Sequence, residues 1–164
     1  FLVVNGQEKK MPGQIEHIAF SPDGKRLACI AKRGIKQVLM VDDKQIAEFD
    51  FVKGNVIVFS PDSKRVACTA RRRKEWFALV DGKEQKVYDQ ILPGTLVFSP
   101  DSKHLAYAAR INWKFVPVVD GVEGEQYDAV VQNSRFIFDG PKHLHGLMER
   151  RGEYIKVDID IVTQ

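Results

Sequence analysis

The chain has 164 residues, 44% of them apolar and 29% charged, the balance of a globular domain rather than a disordered one. No apolar run approaches the roughly 18 residues of a membrane-spanning helix. A net charge of +3 is too small to imply a nucleic-acid partner unless the charge is concentrated on one surface.

Taken in order, the chain opens at Phe1 rather than Met, so it is expected to begin within a longer or processed product, with any signal peptide out of sight. The opening FLVVNGQEKK resembles half of a unit that recurs downstream. From Phe20 the chain reads FSPDGKRLACIA, from Phe59 FSPDSKRVACTA and from Phe98 FSPDSKHLAYAA, each start 39 residues after the last. A decayed copy, FDGPKHLHGLME, begins at Phe138 and keeps Lys142, His143 and Leu144 in register. Between these stretches a second half repeats as VLMVDDKQIAEFD, FALVDGKEQKVYD and VPVVDGVEGEQYD. A period near 40 residues is that of four-stranded propeller blades.

Each unit divides into four expected strands. The first ends at the Phe of Phe-Ser-Pro-Asp, as in NVIVF and GTLVF. Pro presets φ in the turn that follows, and Asp or Ser bonds the local backbone. RLACIA or RVACTA is the second strand, whose small side chains suit close sheet stacking. A basic turn leads to the third (QVLMV, WFALV, FVPVV). Asp42-Asp43, Asp81-Gly82 and Asp120-Gly121 then tolerate the positive φ of a hairpin turn. The fourth strand is short and polar, as an edge strand should be, and ends near Phe49, Tyr88 and Tyr127. Pro117 within a third strand predicts a locally irregular ladder. No segment carries helical periodicity, and a sandwich rarely repeats its turns at a fixed step. The expected fold is all-β: one domain over 1–164, a propeller or partial propeller of about four four-stranded antiparallel blades of 39–40 residues. The expected units are a partial one at 1–19, then 20–58, 59–97 and 98–137, and a degenerate one at 138–164. FLVV and EYIKVDIDI both align with a third strand, so the expectation is an open blade edge or self-association that completes the propeller.

Phe-Ser-Pro-Asp-Gly/Ser-Lys followed by Leu-Ala or Val-Ala resembles the WD-like repeat of TolB-like proteins and of the propeller domains of prolyl-oligopeptidase-type peptidases. The resemblance covers about residues 1 to 160 and implies fold more than function. It implies a six-bladed ring, more than this chain supplies, and a bacterial, periplasmic or extracytoplasmic setting.

Candidate binding residues lie at the turns between second and third strands: Lys32, Arg33, Arg71, Arg72, Arg73, Lys74, Arg110, Arg150 and Arg151, with Trp76 and Trp113 beside them. Such turns share one rim of an up-and-down blade, and converging positive charge favours an anionic partner. Arg interleaved with Trp can stack on a sugar or base. Solvated turn residues are the alternative. His143 and His145 share a strand face but are too few for a metal shell, and Cys29 and Cys68 read as buried small hydrophobes. No Gly-x-Ser-x-Gly, phosphate loop or His-Glu-x-x-His occurs. The expectation is a non-enzymatic interaction platform with no cofactor and no metal. Its expected partner is a protein, with an anionic ligand or glycan also open. The alternatives are an accessory propeller of a larger hydrolase or peptidase and a carbohydrate-binding propeller.

Overall fold

The computed structural model describes residues 2–4, 6–50, 56–132 and 134–162. Phe1 and Asn55, each at the head of an expected strand, lie outside them. Among the described residues there is no helix. A hairpin of β1 (Leu2–Val4) and β2 (Gln7–Lys9) comes first. The first blade is β3 (Gln14–Phe20), β4 (Leu27–Arg33), β5 (Lys36–Val41) and β6 (Lys44–Asp50), antiparallel and in chain order. The second is β7 (Ile57–Phe59), β8 (Val66–Arg72), β9 (Glu75–Val80) and β10 (Lys83–Tyr88). In the third the inner strand is split into β11 (Gln90–Ile91) and β12 (Val97–Phe98), which both pair with β13 (Leu105–Ile111), followed by β14 (Lys114–Val119) and β15 (Val122–Glu123). The fourth has a split inner strand, β16 (Ala129–Val130) and β17 (Ile137–Phe138), then β18 (His143–Arg150) and β19 (Glu153–Asp160), and no fourth strand among the described residues. Phe20, Phe59, Phe98 and Phe138 end their inner strands, so each sheet encloses its Phe-Ser-Pro-Asp turn or the decayed copy of it.

The blades stack through alternating side chains of the second and third strands. Ala28, Ile30, Leu39 and Val41 meet Cys68, Ala70, Phe77 and Leu79 of the second blade. Ala67, Ala78 and Val80 meet Tyr107, Ala109, Val116 and Val118 of the third. Small residues at these second-strand positions let two sheets approach closely. Cys29 and Cys68 are free thiols, buried at equivalent places, and burial pushes the Cys68 thiol up to about 12. Tyr107 holds the third such place and Gly146 the fourth, where the Phe136 ring fills the space a side chain would need. Pro117 pairs with Ala108 on one side. On the other, β15 stops after two residues and Gly124 closes onto the Pro117 carbonyl at 2.8 Å, which is the expected irregularity.

The repeated turns also tie blade to blade. Ser60 Oγ bonds the Asp62 carboxylate at 2.6 Å and accepts the Arg65 amide at 2.9 Å, closing the turn. The Asp62 amide donates to Ser102 Oγ of the next blade at 2.9 Å. Arg65 reaches Asp81 in its own blade and the Ser102 and Lys103 carbonyls of the next, with its guanidinium over the Phe98 ring at 5.2 Å. Arg26 and Asp23 repeat the arrangement toward Ser63, Lys64 and Phe59.

Candidate binding rim

The eleven sequence-selected residues stand on the rim where second strands turn into third. Lys32 and Arg33 end β4, Arg71 and Arg72 end β8, and Arg110 and Arg150 lie at or next to the ends of β13 and β18. Arg73-Lys74, Asn112-Trp113 and Arg151-Gly152 form the two-residue tips, and Trp76 lies one residue into β9. The tips take the left-handed backbone of tight hairpins, with φ of 59° at Arg73, 48° and 67° at Asn112 and Trp113, and 55° at Arg151.

Each of these tips is held by the preceding blade. An Asp at the end of the fourth strand, or beyond it, has a carboxylate that accepts the first tip amide of the next blade. The pairs are Asp50 to Arg73 at 2.5 Å, Asp89 to Asn112 at 2.7 Å and Asp128 to Arg151 at 2.6 Å. Hydrogen bonds from Lys36 and from the Arg73 amide hold the Asp50 carboxyl below its usual range, and the Arg151 amide and Lys114 do the same for Asp128.

The rim is less positive than its basic residues alone imply, because acidic residues stand beside them. Arg33 pairs with Glu48, Lys36 with Asp50, Lys114 with Asp128, and Arg72 with both oxygens of Glu84. Arg150 bonds Glu125 at 2.8 Å and lies 4.4 Å over the Tyr127 ring. Arg71 covers the Trp76 ring at 5.8 Å, and its Nε is buried without a partner. Among the described residues, Arg73, Lys74 and Arg151 have no ion pair, and they stand on the second and fourth blades, on either side of the third. Between them projects Trp113, 82% exposed, with the Arg110 guanidinium 5.4 Å from its ring centre. A bulky residue at positive φ costs free energy, and here little packing offsets it. The free part of the rim is therefore Arg73, Lys74, Trp113 and Arg151, with Arg110 behind Trp113. Sequence reading missed the acidic partners Glu48, Glu84 and Glu125, which recur at no fixed offset from the cations they meet.

Elsewhere, an open groove of about 1210 Å³ follows the inner strands of the third and fourth blades, bordered by Phe98, Ile137, Phe138 and Leu147. His143 and His145 project from the outward face of the fourth blade. His143 bonds Asp160 at 2.7 Å and His145 bonds Asp139 at 2.6 Å. Among the described residues no cluster has the geometry of a metal site.

No protein-family model matches the chain, and no curated protein matches it in sequence. Solved structures share its fold. TolB from Acinetobacter baumannii superposes with a TM-score of 0.54 at 16% identity over 91% of this chain. An acylaminoacyl peptidase gives 0.52 at 13% identity over 88%, and a prolyl endopeptidase 0.51 at 15% over 90%. The chain spans 41%, 32% and 27% of those proteins respectively. The architecture is that of a TolB-like, WD-like propeller, here as an open run of blades.

Proposed function

We propose that the chain is a non-catalytic interaction platform that engages a partner through the rim of hairpin tips on its second, third and fourth blades. The observation that carries this reading is Trp113, which stands at a hairpin tip with the Arg110 guanidinium over its ring and is offered to solvent. A large exposed aromatic beside unpaired cations has the composition of an interface hot spot, in which Trp and Arg are enriched. Arg73, Lys74 and Arg151 beside it favour an acidic protein surface, with a sulfated or uronic glycan as the other ligand of matching charge. The TolB-like fold supports a platform, since rigid stacked blades present broad loop surfaces.

The test is Trp113→Gly. Glycine suits the left-handed tip, so the variant should fold at least as stably as the parent, by up to about 1 kcal/mol. It should nevertheless lose the partners that the parent retains from native lysate and releases as salt rises. Retention of those partners at unchanged affinity would refute the rim as the binding face.

A second reading is an accessory propeller of a larger hydrolase. The fold shared with two peptidases, of which this chain spans 27–32%, favours it. A Gly-x-Ser-x-Gly hydrolase domain in the same polypeptide would decide for it.

A further inference from the structure

The fourth blade ends differently from the other three. In those, the third strand reaches Asp42, Asp81 or Asp120 and reverses through two left-handed residues into the fourth strand. The Asp carboxylate accepts the amide of Leu27, Val66 or Leu105. In the fourth blade that place belongs to Ile159, which pairs with Leu144 as part of an unbroken strand. No residue from Glu153 to Val162 has positive φ, and the Ile161 amide still bonds the Lys142 carbonyl at 2.8 Å. The chain passes the turn position and does not double back. Among the described residues β19 pairs only with β18, in one register over eight residues.

An edge this long and regular is unusual, because proteins blunt exposed edges with bulges or shortness. The other blades do both: the ladders of β6 and β10 slip register, and β15 is two residues long. We infer that the outer edge of β19 is a self-pairing surface, on which β19 of a second copy lies antiparallel. Pairing geometry and charge both support this. Since the Ile161 amide points to β18 and alternate residues follow it, the backbone groups of Tyr154, Lys156, Asp158 and Asp160 face outward. Antiparallel pairing centred on Val157 sets Lys156 opposite the partner's Asp158 and, by symmetry, Asp158 opposite the partner's Lys156. On the other side of the sheet Ile155 meets the partner's Ile159. Of the two neighbouring registers of correct parity, one opposes Lys156 to the partner's Lys156, and the other opposes Asp158 to the partner's Asp158 while setting Lys156 against its Asp160. Cross-strand pairs of unlike charge stabilise and like charges destabilise, and the register centred on Val157 is the one of the three that opposes no like charges. The resulting contact is isologous, as a two-fold dimer requires. This inference does not depend on the binding rim.

The test is a set of charge exchanges read by sedimentation equilibrium over a concentration series, with circular dichroism confirming the fold of each variant. The parent should show a concentration-dependent approach to twice the chain mass. Lys156→Asp and Asp158→Lys each turn two attractive pairs repulsive and should weaken the dimer about tenfold. The double variant K156D/D158K is self-complementary again and should recover parental affinity. A single-chain mass at every concentration overturns the inference. So does a dimer indifferent to either exchange, or a double variant no better than the singles.

Discussion

The junction between the second and third blades and the junction between the third and fourth bury similar apolar stacks but are fastened differently. At the former, Arg65 spans the gap: its Nε binds Asp81, one terminal nitrogen reaches two carbonyls of the next blade, and its guanidinium covers Phe98. At the latter, His104 stands where Arg65 stood and bonds only Asp120 within its own blade, at 2.6 Å. The receiving turn has also changed, since Asp139-Gly140-Pro141 offers no serine hydroxyl to the preceding blade. Its Asp139 carboxylate turns instead to His145. One repeat position thus fastens blade to blade in the early repeats and closes only its own hairpin in the third. The outward face of the fourth blade then departs further. Where Ala106 and Ala108 lie buried on the third blade, it presents His145 and Leu147 beside Lys156 and Asp158.

The strongest way to break this comparison is to remove the fastener. Arg65→Met keeps the apolar stem but deletes an ion pair, two bonds to carbonyls and a cation–π contact. With partial exposure discounted, it should cost about 2 kcal/mol. His104→Met should cost less than about 1 kcal/mol, since it deletes one intrablade contact. Urea denaturation of both variants measures the difference. Equal costs would mean that apolar stacking alone sets blade cohesion and that the arginine is incidental.

A smaller effect should follow at the serine of the turn. Ser63 and Ser102 both sit at φ 65°, a conformation that favours glycine, and each accepts an amide from the preceding blade. Gly24 fills the same place in the first blade, with φ 71° and no hydroxyl. Ser102→Gly should lose up to about 1 kcal/mol net, as the Asp62 amide loses its acceptor while backbone strain is relieved. Gly24→Ser should gain nothing. Thermal melts that rank the two variants in the opposite order would remove the serine from the account of cohesion.

The period, the strand order and the phenylalanine positions were legible in the sequence because turn chemistry repeats locally. Asp-Gly and Ser-Pro-Asp announce their own backbone. The contacts that join blades were not legible, although their residues recur at the same step. Arg26 and Arg65, and Asp50, Asp89 and Asp128, act on a neighbour about 23 or 38 residues away. A repeat shows that such a residue returns, but not which neighbour it meets. The rim cations were read as turn residues, but Lys32, Arg33, Arg71, Arg72, Arg110 and Arg150 belong to the ends of the second strands, leaving Arg73, Lys74 and Arg151 in the tips. The neutralisation of Arg33, Arg72 and Arg150 by Glu48, Glu84 and Glu125 depends on how strands lie side by side, which charge counting along the chain does not capture. Trp113 was visible as an aromatic beside a basic turn, but its left-handed backbone follows from the two-residue hairpin that β13 and β14 enforce.

The weakest expected effect separates the same two regions by pH. In the first three blades Asp23, Asp62 and Asp101 are held below the ordinary 3.8, chiefly by the hydroxyls of Ser21, Ser60 and Ser99. A depressed carboxyl contributes stability that is present above 3.8 and is lost as pH falls through the folded value. In the fourth blade His143 is raised above 6.5, first by its hydrogen bond to Asp160 and then by the charges of Asp160, Asp139 and Asp158. A raised histidine contributes stability that is complete below 6.5 and is lost as pH rises through the folded value. Acid should therefore loosen the stapled blades, and a mild rise above neutrality should loosen the last one. All four groups are exposed, so both effects are small and shrink with salt. Amide hydrogen exchange, corrected for its intrinsic pH dependence, can read each region separately. Protection in β18 and β19 should fall between pH 6 and pH 8 while that in β8 and β13 holds, and His143→Asn should abolish most of the fall. If protection in β18 and β19 is flat across that range, or the fall survives the substitution, then the His143–Asp160 contact does not stabilise the terminal blade.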